Sequence, residues 1–76
     1  MPMPTQDLVS IAAAGGGFRI EAQKYSTDDL VGIAAAASKH KPPIVLENAG
    51  YLPVNDLLMI ATAGKGAVHF LLPTSL

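Results

Sequence analysis

The chain predicts an α/β fold: a two-layer αβαβαβ repeat, with three parallel strands in the order 1-2-3 and three helices on one face. Three observations carry this expectation. A short unit recurs three times, each copy has helical apolar spacing, and each is followed by an alternating strand pattern. The copies are Asp7-Leu-Val-Ser-Ile-Ala-Ala-Ala14, Asp29-Leu-Val-Gly-Ile-Ala-Ala-Ala36 and Asp56-Leu-Leu-Met-Ile-Ala-Thr-Ala63, sharing the pattern D-L-[VL]-x-I-A-x-A. A period of roughly 20–30 residues is the mark of one supersecondary unit stacked on itself.

The first helix is read from Leu8, Ile11, Ala12 and Gly15, which fall at the i, i+3, i+4, i+7 positions of one helical face. Thr5 is its expected N-cap, and Gly15-Gly16-Gly17 its stop. Phe18-Arg-Ile-Glu-Ala22 then alternates as a strand, with Phe18 and Ile20 on one side and Arg19 and Glu21 on the other. The second helix repeats the stripe at Leu30, Ile33, Ala34 and Ala37, with Thr27 as expected cap and Lys39-His40-Lys41-Pro42-Pro43 as its end. Ile44-Val-Leu-Glu-Asn48 follows as the second strand. The third helix carries Leu57, Ile60, Ala61 and Gly64, with Asn55 as expected cap and Gly64-Lys65-Gly66 as stop, before the strand Val68-His-Phe-Leu-Leu72. The whole of 1–76 is read as one domain, with repeats at about 5–25, 27–52 and 54–73. Strands joined through a single helix run parallel, and their crossovers share one hand, which puts all helices on the same face. The polar residues between the apolar ones in the first two strands agree, since a sheet covered on both faces reads as continuous apolar runs.

Over about 5–72 the chain resembles the leucine-rich-repeat-like α/β solenoids, in period and in the placement of Leu, Ile and Ala. The leucine-rich consensus places Asn three residues after the second strand leucine; Asn48 comes two after Leu46, and Ala22 and Leu72 hold the corresponding place in the other copies. The resemblance implies a binding surface on the sheet side.

Composition narrows the function. The 76 residues carry a net charge of −1, are 50% hydrophobic and only 14% charged, and contain no Cys. Without Cys there are no disulfides, thiolate zinc sites or cysteine nucleophiles. Near-neutral charge with no basic block excludes a protein that lives by neutralising phosphates, so no nucleic-acid partner is expected. No apolar run approaches the roughly 20 residues of a membrane span. Residues 1–7 lack Lys and Arg before a short apolar stretch, so no signal peptide and a cytoplasmic location are expected.

The glycine clusters close helices, whereas phosphate cradles lead into helix N-termini, so they are read as stops. Asp7, Asp28, Asp29 and Asp56 lie at helix starts and are read as complements to the helix dipole. Lys39, His40, Lys41 and Lys65 do the same at the opposite rim. His40 and His69 are too isolated for a zinc site or a triad, and Ser10, Ser26, Ser38 and Ser75 lack a nucleophile elbow. Tyr25 and Tyr51 are read as repeated lids on the ends of the core.

The informative constellation is the outer sheet face. In-register pairing would set Arg19, Val45 and His69 in one row and Glu21, Glu47 and Leu71 in the next. Two adjacent carboxylates repel, and call for an offset from Arg19, solvent, a partner's cation or a shared proton. These six residues are the candidate partner-binding face; no catalytic residue, metal site or cofactor is expected. The function expected is a non-enzymatic protein-interaction module, with a protein partner or a homo-oligomer, using the open sheet edge or the outer face. The alternative is a small-ligand or divalent-metal binder at the Asp rim or the Glu21/Glu47 pair.

Overall fold

The structure, a computed structural model, describes residues 4–71. Its elements are α1 (Thr5–Ala13), β1 (Phe18–Glu21), α2 (Thr27–Ala37), β2 (Ile44–Glu47), α3 (Val54–Gly64) and β3 (Val68–Phe70), with short 3-10 turns at Ala22–Lys24 and Ala49–Tyr51. The strands form one parallel sheet in the order β1-β2-β3. Helix α2 packs between α1 and α3. The expected fold class is therefore the observed one. Leu72 and Pro73 to Leu76, read as the last inward apolar position and the end of edge pairing, lie outside the described residues.

The core forms where the helix stripes meet the inward side of the sheet. Leu30, Ile33, Ile44, Leu46 and Ile60 are its largest fully buried side chains, and Leu8, Ala12, Ala34 and Ala37 of the helices and Ala22, Ala49, Leu52 and Ala67 of the connections complete it. Small alanines let the helices approach one another closely, so little volume is needed to fill the layer. No polar or charged residue among those described is buried.

Helix starts depart from expectation. The N-caps are Pro4, Ser26 and Pro53, not Thr5, Thr27 and Asn55, which lie inside the helices. Each true cap stands three residues before the Asp of the shared pattern. Only Ser26 caps with its side chain, accepting from the Asp29 N–H at 3.1 Å. Proline fits as a cap because a cap residue needs an extended backbone and its own N–H is not used by the helix.

Helix ends differ in mechanism. At α1, Gly15 takes φ +95° while Gly16 N–H donates to Ile11 O at 2.9 Å and Gly15 N–H to Ala12 O at 3.0 Å, the paired bonds of a Schellman stop. At α2 the left-handed residue is Lys41, and at α3 it is Lys65, followed by Gly66. Gly64 ends the helix and its carbonyl accepts from Ala67 N–H at 3.0 Å. It lies buried within α3, where a Cβ would come within 2.8 Å of Val68 Cγ2, so its role is close packing of helix on strand. No basic residue falls in the last turn of any of the three helices; Lys39, His40, Lys41 and Lys65 lie beyond those turns.

Candidate functional site

The register of the sheet is the expected one. Arg19 pairs with Val45 and Val45 with His69, while Glu21 pairs with Glu47. Pairing runs one residue past β3, because Leu71 N–H donates to Leu46 O at 2.9 Å and Leu71 O accepts from Ala49 N–H at 3.2 Å. The two rows read from the sequence thus stand side by side on the face away from the helices.

The Glu21/Glu47 pair is offset from within the fold. Arg19 Nε lies 2.9 Å from Glu47 Oε2, a diagonal ion pair from β1 to β2. Asn48 donates through Nδ2 to Glu21 Oε1 at 3.4 Å. The Asn48 backbone makes this reach possible: it is left-handed, with φ 58° and ψ 39°, a conformation Asn tolerates better than most residues. Asn48 is also where the strand repeat and the helix repeat fall out of step by one residue. Glu21 faces Glu47 in the register, yet the turn after β1 begins at Ala22 and the one after β2 at Ala49. Each carboxylate has its own partner and both are partly exposed, so the face is a braced polar surface.

The other candidates sit apart from it. Asp7, Asp28, Asp29 and Asp56 occupy first helical turns as expected, and Asp56 Oδ2 accepts from Thr27 Oγ1 at 3.3 Å. No group of three or more His, Asp or Glu among the described residues could hold a metal ion. Ser10 and Ser38 donate to the backbone carbonyls of Gln6 and Ala35, and Ser26 is a cap, so each described serine hydroxyl is engaged locally; Ser75 lies outside the described residues. The tyrosines are not equivalent. Tyr51 ends a 3-10 turn and is 49% exposed, whereas Tyr25 follows the corresponding turn and packs partly buried against the core. Tyr51 donates its hydroxyl to Ala22 O at 2.9 Å, linking the two turns, and burial raises its pKa above the ordinary 10.0.

Sequence reasoning missed an exposed apolar surface on α3. Val54, Leu58 and Met59 of α3 are 69%, 58% and 51% exposed. Leu58, Met59, Thr62 and Ala63 line an open apolar groove with Val31 of α2. The signal was present. Met59 occupies the repeat position held by Ser10 in α1 and Gly32 in α2, and Leu58 the position held by valine. Helix α3 therefore carries more apolar residues than its buried stripe can use. Leu71, at the sheet edge of the same repeat, is 44% exposed.

No family model matches this chain, and neither a curated protein nor a solved structure matches it. Fold and surface define a small two-layer α/β domain with a braced polar sheet face and an apolar terminal helix. No helix among the described residues is long and apolar enough to cross a membrane.

Proposed function

We propose that the chain is a non-enzymatic protein-interaction module that self-associates through the end of the structure formed by α3 and β3. The observation that carries this reading is the exposed set Val54, Leu58, Met59 and Leu71 on one terminal repeat. Covering a large apolar side chain is worth about 1.5–3 kcal/mol when burial is complete, so even partial cover of four gives a contact real weight. Polar groups at the same end favour a protein over a lipid or a small apolar ligand. The outward backbone row of β3 has no strand beside it among the described residues, and an added strand satisfies such a row with main-chain hydrogen bonds. The likeness to leucine-rich-repeat-like solenoids agrees with a role in binding. Of the expected face, Leu71 belongs to the contact itself, whereas Arg19, Glu21, Val45, Glu47 and His69 frame it, since the carboxylates are already engaged.

Sedimentation equilibrium over a wide concentration range tests the reading. The parent should rise above monomer mass with concentration, and Leu58→Glu should remain monomeric with an unchanged circular dichroism spectrum. A parent that stays monomeric throughout overturns it.

A further inference from the structure

We propose that association is head to tail: the α3–β3 end of one copy docks on the α1–β1 end of a second copy, continuing both the helix layer and the parallel sheet. This rests on the interaction reading above and adds the partner, a second copy, and the surface it offers.

The inference comes from comparing burial at equivalent positions of the three repeats. Asp29 and Asp56 are half-buried, but Asp7 is exposed. Ile33 and Ile60 are 1% and 0% exposed, but Ile11 is 38% exposed. Ala36 and Ala63 are half-buried, but Ala14 is exposed. These three positions fall at i, i+4 and i+7, with Ala14 the C-cap of α1, and among the described residues α1 has no preceding helix to cover them. The opposite flank shows the reverse trend. Leu8 and Leu30 are buried while Leu57 is half-buried, and Val9 and Val31 are half-buried while Leu58 is exposed. Ala12 and Ala34 are buried while Ala61 is half-buried. Among the described residues no helix follows α3.

The molecule therefore presents two different surfaces that already fit one another twice inside the chain, at α1 against α2 and at α2 against α3. The sheet tells the same story. Inward Ile44 and Leu46 of the central strand are buried, whereas Phe18, Ile20, Val68 and Phe70 of the edge strands are only half-buried. The first residue of each inner pairing donates to the residue before the next strand: Phe18 N–H to Pro43 O and Ile44 N–H to Ala67 O, both at 3.1 Å. The same register directs Val68 N–H of one copy to Gly17 O of the next.

A two-fold contact between α3–β3 ends would not do this. It would set leucine flank against leucine flank and leave Ile11, Ala14 and the β1 edge uncovered. Repeating the internal junction instead gives a heterologous contact, which propagates rather than closing after two copies. One internal bond has no counterpart at the new junction. Thr27 donates to Asp56 between α2 and α3, but α3 carries Val54 in the place of Thr27. The junction between copies is thus weaker than the junctions within one.

Two surface variants and their mixture decide the geometry by sedimentation equilibrium, with a melting curve for each to establish folding. Leu58→Glu spoils the tail and keeps the head; Ile11→Glu spoils the head and keeps the tail. Ala14→Glu, on an exposed position of the same flank, replaces Ile11→Glu should the latter fail to fold. The parent should pass dimer mass with rising concentration. Each variant alone should stay at monomer mass, and an equal mixture should reach dimer mass and stop, a twofold gain. If head variants associate as the parent does while Leu58→Glu is monomeric, the contact is two-fold. Head-to-tail docking is then overturned, and the interaction reading stands. A mixture that stays monomeric also overturns head-to-tail docking. A monomeric parent, or a Leu58→Glu variant that associates like the parent, overturns both.

Discussion

Leu30 in the central repeat and Leu57 in the last occupy the same place in the same sequence pattern, yet Leu30 is 1% exposed and Leu57 only half-buried. Helix α2 is flanked on both sides and α3 on one. A repeat thus supplies the shape of a core, and its neighbours decide how much of that shape leaves water. The largest expected effect measures this difference. Leu30→Ala should cost about 2–4 kcal/mol through lost transfer energy and a cavity, whereas Leu57→Ala should cost about 1–2 kcal/mol because less surface was buried and the site opens to solvent. Chemical denaturation of both at a concentration where the parent is monomeric checks the pair. Equal losses would break the comparison.

The central repeat is also the one with a side-chain cap. Ser26→Ala should destabilise by about 1 kcal/mol, since it removes the acceptor for the Asp29 N–H. Pro4→Ala and Pro53→Ala should have smaller effects through capping, because neither proline makes a side-chain cap. Thermal melts of the three variants sharpen the contrast between repeats.

Tyr51 ties the second repeat to the first by donating to Ala22 O. Tyr51→Phe should cost about 0.5–1.5 kcal/mol. Its pH dependence follows from the raised pKa. The hydroxyl must keep its proton to donate, so its contribution is complete below the ordinary value of 10.0 and is lost as pH climbs through the higher folded value. Denaturation midpoints from pH 8 upward should therefore fall less steeply for Tyr51→Phe than for the parent.

The smallest effect belongs to the sheet face. Arg19 and Glu47 are paired at 2.9 Å, but their side chains are 64% and 39% exposed, so solvent screens most of the attraction. Arg19→Ala should cost less than about 1 kcal/mol, and less still in high salt. A larger loss, measured by denaturation at two ionic strengths, would mean that this face bears more of the fold than its exposure indicates.

Much of the architecture was legible because it is written in local periods. The spacing of Leu30, Ile33, Ala34 and Ala37 is a helix face whatever surrounds it, and the alternation of Ile44 and Leu46 with Val45 and Glu47 is a strand with one open side. Three such units in fixed order left one economical topology, and the in-register pairing expected of the strands, which sets Glu21 beside Glu47, is the pairing observed. Caps were less legible. Thr5, Thr27 and Asn55 suit a helix start by residue type, yet the caps stand one or two residues earlier, at Pro4, Ser26 and Pro53. The left-handed backbones of Lys41 and Lys65 carry no glycine to announce them.

The candidate face was legible as a set of residues but not as a bonding pattern. Its rows came from alternation alone, whereas the Arg19–Glu47 and Asn48–Glu21 contacts depend on a diagonal reach and on one left-handed residue. Local sequence by itself determined which residues are apolar on which face, and hence the elements and their order. Tertiary structure alone decided which apolar faces find a neighbour, because burial belongs to a pair of surfaces. Ile11 and Ile60 share one pattern, yet Ile60 is buried and Ile11 is not, and among the described residues only the helix of Ile60 has another before it.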